Sequence, residues 1–488
     1  MTTSTLRART GVVGLDDILH GGLPTGRFYL VRGAAGTGKT TMGLQFLLEG
    51  VKEGEPVLYV SLSQTEEELR QIANSHGWSL DNVSIQSLST GDELPKLSEQ
   101  TIFLSADLRL DKTRDAIQQK IEQLKPKRIV YDSLLEIRLL ASDSQKFRRE
   151  ILGFKSFLNN ANITTLLLDT EHHGEQDRAE DQLENIAHGI IRLEKKLPSY
   201  GFAARRVEVK KLRGSPIRDG YHDISIREGE GVVVYPRVLP NLQPDISGKN
   251  GLIKCNITEL DDMLGGGLEE GTTAIVMGQS GTGKSTMASL YAQAALARGE
   301  HVAMYLFEER VETFFRRSEG LGIELRKPYE EGRLHLRDFN PSEVSPGEFS
   351  QIVVKTLEDH KVRVIMIDSL TGYLSALPHS EQAVVQMHTV LKYAARKGAL
   401  SLLIVAQHGL LGQGEQSTSL DVSYLGDSVL WLRMYEWPGV IRRTITAVKK
   451  RHGPHDLDVH EFSIGPEGVE VHPFNPPPPG MPGPLPAY

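Results

Sequence analysis

Gly33-Ala34-Ala35-Gly36-Thr37-Gly38-Lys39-Thr40 and Gly278-Gln279-Ser280-Gly281-Thr282-Gly283-Lys284-Ser285 are the two stretches that decide the fold. Each fits G-x-x-x-x-G-K-[ST] without a mismatch, the phosphate-binding P-loop pattern. Gly36, Gly38, Gly281 and Gly283 let successive backbone N–H groups turn inward on phosphate oxygens. The helix that follows adds its positive N-terminal end. Lys39 and Lys284 reach the β- and γ-phosphates, and Thr40 and Ser285 offer hydroxyls to Mg²⁺. Thr37, Thr41, Thr282 and Thr286 complete the two phosphate sites.

The surroundings repeat with the loops. Gly14-Leu15-Asp16-Asp17-Ile18-Leu19-His20-Gly21-Gly22-Leu23 precedes the first, and Glu259-Leu260-Asp261-Asp262-Met263-Leu264-Gly265-Gly266-Gly267-Leu268 the second. Asp16 to Asp261 and Lys39 to Lys284 share one offset of 245 residues. A period this long means two copies of one domain, each large enough for its own core. Apolar runs of strand length recur in order. They are Phe28–Val31, Val57–Val60, Arg128–Asp132 and Thr164–Leu168 in the first copy, and Thr273–Met277, Val302–Leu306, Val364–Asp368 and Leu402–Val405 in the second. Helical stretches follow each P-loop at Met42–Leu48 and Met287–Ala297. Such strands alternating with helices predict a mostly parallel sheet covered on both faces. The expected domains are 1–240 and 241–470, joined through the proline-bearing stretch Tyr235–Asn250, with 471–488 a proline-rich tail. The tail, from Pro473 to Tyr488, reads as extended and unable to form a ladder or helix.

A net charge of -8 argues against a general nucleic-acid surface. No apolar run approaches a membrane span, and the N-terminus lacks a signal-peptide core. The single cysteine, Cys255, cannot form an internal disulfide, and a reducing cytoplasm fits best.

Asp132-Ser133 and Asp368-Ser369 end apolar strands at similar distances from their P-loops. This is the Walker B arrangement, in which the carboxylate holds the Mg²⁺ hydration shell. The copies differ after the second apolar strand. Phe307-Glu308-Glu309 supplies two carboxylates where the first copy has Leu62-Ser63-Gln64. A carboxylate accepts a proton; an amide only orients water. Glu308 and Glu309 are therefore the expected catalytic acids, first-turn acids before Val311–Phe315 being the plainer alternative. Glu66, Glu67 and Glu68 are read instead as first-turn acids, with Thr65 and Glu68 forming a capping box. Late in each copy stand Lys210-Lys211-Leu212-Arg213-Gly214 and Lys449-Lys450-Arg451-His452-Gly453. In a monomer these are solvated strand ends; in a ring they set Lys and Arg against a neighbour's γ-phosphate. Gln407 is either a γ-phosphate sensor or a satisfied polar residue at a strand end.

These residues resemble the KaiC family, two-domain circadian-clock ATPases and autokinases of the RecA-type P-loop superfamily. The likeness runs over residues 8 to 470 and includes Gly21–Leu23, both P-loops, both Asp-Ser pairs, Phe307-Glu308-Glu309, Lys211-Leu212-Arg213 and Ser75-His76-Gly77-Trp78-Ser79-Leu80. It implies two tandem RecA-like α/β domains and homohexameric rings of two stacked tiers, with ATP and Mg²⁺ between neighbours. Lys211 and Arg213, then Lys449 and Arg451, would act across that interface. His452 before Gly453 departs from the family's Lys-x-Arg-Gly ending. The family's second domain phosphorylates adjacent Ser and Thr residues; the matching positions here are Ser423 and Tyr424. Ser423 keeps the hydroxyl and is the expected phosphosite, a structural hydroxyl near a subunit contact being the plainer alternative. Ser423 follows the polar stretch Gly412–Ser419, which places it at a loop-to-strand junction near the P-loop edge. Signalling partners, KaiB-like or other, are implied, while Gln64 and the tail depart from the family and leave a clock role unimplied. The expectation is a cytoplasmic ATP-hydrolysing signalling ring. A RecA-like DNA-binding motor and a nucleotide-gated scaffold with negligible turnover are the alternatives.

Overall fold

The computed structural model describes residues 6–88, 106–140, 144–171, 183–197, 203–239, 251–375, 377, 380–407, 423–437, 440–465, 468–474 and 485–486. The chain divides into two compact units, 1–237 and 238–488.

In the first unit the P-loop follows β1 (Phe28–Gly33) and opens α1 (Lys39–Lys52). The main chain continues through β2 (Val57–Ser61), α2 (Glu66–Ser75), β3 (Ser84–Ser87), α3 (Ala106–Leu124) and β4 (Arg128–Asp132). Then come α4 (Leu134–Leu140), α5 (Ser144–Asn160), β5 (Thr164–Thr170), β6 (Gly189–Lys196), β7 (Ala204–Leu212), β8 (Tyr221–Arg227) and β9 (Gly231–Tyr235). The sheet order is β9-β8-β7-β6-β1-β5-β4-β2-β3. From β6 to β3 every pair is parallel; β6 to β9 pair antiparallel.

The second unit repeats this plan. Its elements are β10 (Thr273–Gly278), α6 (Lys284–Ala297), β11 (Val302–Leu306), α7 (Val311–Glu319), β12 (Leu334–Asp338), α8 (Pro346–His360) and β13 (Val364–Asp368). They continue with α9 (Leu370–Ser375), α10 (Ser380–Arg396), β14 (Leu400–Ala406), β15 (Ser428–Trp437), β16 (Val440–Lys450), β17 (His460–Gly465) and β18 (Gly468–Pro473). The order β12-β11-β13-β14-β10-β15-β16-β17-β18 matches the first sheet strand for strand.

Two-residue alternation explains why the central parallel strands β1, β2, β4 and β5 are mostly apolar. Leu30, Leu58, Ile129 and Leu167 pack into one cluster, while Val31, Tyr59, Val130 and Leu168 pack into another. Both faces are therefore core. The repeated aspartates are fasteners. Asp16 accepts from Thr10 N (3.0 Å) and Thr10 Oγ1 (2.8 Å), and Asp261 from Cys255 N (3.0 Å) and Asn256 N (3.1 Å). The expected capping box of α2 is present, with Thr65 Oγ1 accepting from Glu68 N and Thr65 N donating to Glu68.

Two features depart from the sequence reading. The antiparallel extension of each sheet, apart from β9 and residues 429–432 of β15, mixes charged and apolar residues where the central parallel strands carry apolar runs. The tail does form a short ladder: Leu485 and Pro486 pair with Glu436 and Tyr435 of β15. Beyond Leu432, β15 has outgrown its pairing with β10, so that edge is open to a short segment. Proline at the end of such a segment forfeits only its missing donor.

Candidate nucleotide sites

Gly33 ends β1 between Thr170 of β5 and Leu193 of β6. Each P-loop thus lies at the carboxyl edge of its sheet, where connections leave to opposite sides and α/β folds bind ligands. Gly38 and Gly283 cap α1 and α6 in the left-handed conformation, with φ of 103° and 95°. Neither cap has a side-chain acceptor, which leaves the first-turn N–H groups to an anion. A Cβ on Gly283 would lie 2.4 Å from Ile464 Cδ1 and 2.9 Å from Phe462 Cε1, so a side chain there would have to displace both and also hold a left-handed φ.

The loops are braced alike. Thr37 Oγ1 donates to Ala34 O (2.8 Å) and Thr282 Oγ1 to Gln279 O (2.9 Å). Lys39 Nζ donates to Gly33 O (2.6 Å), and Lys284 Nζ to Gln279 O (2.6 Å). Burial lowers both ammonium pKa values, opposed at Lys39 by Asp132, Asp169 and Glu171 and at Lys284 by Asp368 and Glu308. Thr41 and Thr286 are buried one position further along each helix.

Thr40 Oγ1 lies 3.2 Å from Asp132 Oδ2, which also accepts from the Tyr59 hydroxyl (2.7 Å). Ser285 likewise hydrogen-bonds Asp368. A hydroxyl beside a carboxylate is a hard oxygen pair that suits Mg²⁺. Burial pushes Asp368 up to about 6; Glu308 and Glu309 add to the rise, and Ser285 and Arg317 oppose it.

The two expected catalytic acids part company. Ser369 Oγ donates to Glu308 Oε1 while accepting from Gly372 N (2.9 Å), which fixes an exposed Glu308 carboxylate beside the Walker B strand. Glu309 turns instead to Arg317 of α7, with contacts of 2.8 and 3.2 Å. Phe307 anchors this turn among Phe339, Phe349 and Tyr373. In the first unit Ser63 and Gln64 occupy these positions, and Ser61 Oγ ties off the turn through Gln64 N (2.9 Å) and O (2.7 Å).

The basic pairs lie elsewhere. Through the registers, Leu212 sits opposite Gly189 and Tyr29, at the far end of the sheet from Gly33. Lys450 sits likewise opposite Ser428 and Ala274, away from Gly278. Lys211 Nζ donates to Glu184 O (2.6 Å) and Arg213 to Asn185 O (2.9 Å). Lys449 Nζ donates to Gly426 O (2.7 Å), and Arg451 meets Asp427 Oδ1 (3.1 Å). None of the four can reach its own P-loop. Lys450, between the second pair, is buried against Leu264 O, Gly267 O (3.1 Å) and Glu269 (3.1 Å), so that basic run is broken by an internal lysine.

Ser423 begins a short 3-10 turn at a loop-to-strand junction, as expected, but not at the P-loop edge. β15 runs parallel to β10 and begins at its amino end, and the turn that holds Ser423 leads directly into it. Ser423 therefore stands at the same end as Lys449 and Arg451. The position five residues before the matching strand of the first unit holds Glu184, paired with Arg32 (3.0 Å) and Lys210 (2.7 Å). Met277 and Val448 occupy the places of those two partners.

Sequence reasoning passed over three further groups. Arg205 and Arg443 reach the carbonyls of Gly36 (3.4 Å) and Gly281 (3.1 Å), so each P-loop has an arginine of its own chain beside it. Their equivalent positions in the repeat were the available signal. Glu171 N donates to Gly33 O (3.3 Å) and its carboxylate meets Arg192 (2.8 Å); Gln407 N makes the matching bond to Gly278 O (3.0 Å). Gly372 is the third, because a Cβ there would come within 2.8 Å of Glu308 Oε1.

Two tandem RecA-like P-loop domains, each with a Walker B carboxylate beside its P-loop hydroxyl, define a nucleoside-triphosphatase of the RecA type. Comparison with protein families matches the one described as "ATPase: KaiC" over residues 8–238 and 253–475, and the chain belongs to the KaiC ATPase family. It is 28% identical to the circadian clock protein KaiC3 of Synechocystis sp., over 94% of this chain and 90% of that protein. It is 27% identical to the circadian clock oscillator proteins KaiC of Picosynechococcus sp. and Synechococcus elongatus, over 94% of this chain and 88% and 87% of theirs. ATP is accordingly the nucleotide of this fold.

Proposed function

We propose that this protein is a ring-forming ATPase whose nucleotides lie between neighbouring subunits. In this reading the ring is a homohexamer, the second domain carries most of the turnover, and Ser423 is the group it phosphorylates. The observation that carries the reading is the placement, in both copies, of the P-loop at one end of the sheet and the Lys/Arg pair at the other. A complete site then needs a P-loop from one subunit and cations from the next.

Thr40 with Asp132 and Ser285 with Asp368 would hold Mg²⁺, which neutralises phosphate charge when bound. Glu308, held by Ser369, accepts the proton of the attacking water or hydroxyl. Glu309 braces α7 through Arg317 and is assigned a positioning role. Arg443 adds a cation from the P-loop's own subunit. The first domain lacks a carboxylate at Ser63 and Gln64; it binds ATP chiefly to hold the ring. Ser423, at the far end of its sheet, would take phosphate from the neighbour's ATP: its hydroxyl oxygen bonds to the γ-phosphorus, ADP leaves, and the hydroxyl proton passes to Glu308 of the ATP-bearing subunit. The output acts on signalling partner proteins in the cytoplasm.

The deciding experiment mixes two inactive chains, Lys284→Ala and Arg451→Ala. Sites formed between subunits regain ATPase activity on subunit exchange; persistent inactivity means that each chain completes its own site. Phosphopeptide mapping after incubation with Mg-ATP tests Ser423, with Lys284→Ala as the control. Unmodified peptide in the wild type removes the kinase step and leaves the ATPase.

A further inference from the structure

At the end of the second sheet away from the P-loop, three histidines converge from three elements. His301 immediately precedes β11, His335 lies on the edge strand β12 opposite Ala303, and His360 is the last residue of α8. One ring nitrogen from each lies within 4.8 Å of the others. His301 Nδ1 and His335 Nε2 approach to 3.2 Å, and the His335 and His360 rings stack at 3.9 Å between centroids. We propose that this cluster is a transition-metal site of the zinc class, with three imidazole ligands and a fourth position open to water.

The geometry argues for it in two ways. With Zn–N bonds of about 2.0–2.1 Å, two ligands of a tetrahedral ion stand roughly 3.3 Å apart. The His301–His335 separation of 3.2 Å matches that edge. His360 also closes the carboxyl end of a 15-residue helix, where the helix dipole favours a cation. The nearby Arg333 is engaged by Glu331 and by Leu296 O (2.7 Å), so its guanidinium is held by other partners. Imidazole at neutral pH carries the free lone pair that Zn²⁺, Ni²⁺ and Cu²⁺ prefer, whereas Mg²⁺ selects oxygen. The fold does not require the cluster. The corresponding positions of the first unit are Pro56, Ser84 and Leu124, which offer no comparable set. Such an ion would tie the edge strand β12 and the end of α8 to β11, remote from the Mg²⁺ of the P-loop.

The test uses the full-length, tag-free chain, stripped with a chelator and titrated calorimetrically with Zn²⁺ in excess Mg²⁺ to saturate the P-loop sites. One tight equivalent per chain is expected. His335→Ala and His360→Ala should each weaken it by more than the roughly 10–100-fold that loss of an outer partner costs. His360 is exposed, so His360→Ala probes binding without disturbing the core. Thermal unfolding gives a second readout: Zn²⁺ should raise the midpoint of the wild type and leave His360→Ala unmoved. Absence of a tight equivalent in the wild type, or equal affinity and equal thermal shift in the variants, overturns the assignment.

Discussion

Gly372 shows how far a single atom's space can matter. Its missing Cβ leaves room for Glu308 and Ser369 to meet, and its N–H donates to the same Ser369 hydroxyl (2.9 Å). Gly372→Ala adds a good helix former inside α9, so the fold should gain slightly in stability. The carboxylate, however, must shift. Steady-state turnover should fall on the order of 10²-fold, as for a reacting group misplaced by about 1 Å, with ATP affinity unchanged. Unchanged kcat would mean that Glu308 does not act from its place against Ser369. Glu308→Gln should cost the second domain on the order of 10²-fold or more. Glu309→Gln should cost less and be reproduced by Arg317→Ala, since both break one ion pair; equal losses for the two acids would return both to the chemistry. The sequence made both acids visible but could not separate them. Their roles depend on which reaches Ser369 and which reaches an arginine two turns into α7.

At the scale of the element, the four central parallel strands of each sheet were legible because burial on both faces demands apolar runs. The edge strands β3 and β12 and most of the antiparallel extension were not, because they mix polar and apolar residues and depend on pairing for their identity. That cost the placement of Ser423: only the register reveals which end of the sheet it occupies. The same register brings Glu184 into the matching place of the first unit, held by Arg32 and Lys210. Ser423→Glu should therefore not reproduce that clasp, because Met277 and Val448 offer no cations. Adding Met277→Arg and Val448→Lys to Ser423→Glu should raise the thermal midpoint relative to Ser423→Glu alone. No rise would show that the two ends are not interchangeable.

For the whole molecule, the reading divides labour between the copies. Lys39→Ala should weaken the ring more than Lys284→Ala, because nucleotide held between subunits stabilises their association by linkage. Sedimentation velocity with ATP checks this; equal assembly by both variants would remove the division. The repeat itself, the two P-loops and the Walker B strands were all plain in the sequence. The three-histidine cluster was not, since residues 301, 335 and 360 share no local spacing and meet only when β12 folds back beside β11.

Each sheet carries its P-loop at one end and its Lys/Arg pair at the other, so every subunit is an arrow with a giving end and a receiving end. Arrows closed in a circle count their defects differently according to which end is damaged. Mixed into wild-type rings at fraction f, Arg451→Ala subunits should lower second-domain activity in proportion to 1 − f, because each spoils one junction. Subunits carrying both Lys284→Ala and Arg451→Ala spoil the junctions on both sides, and activity should follow (1 − f)². A straight line in place of that parabola would mean that the chain has no direction.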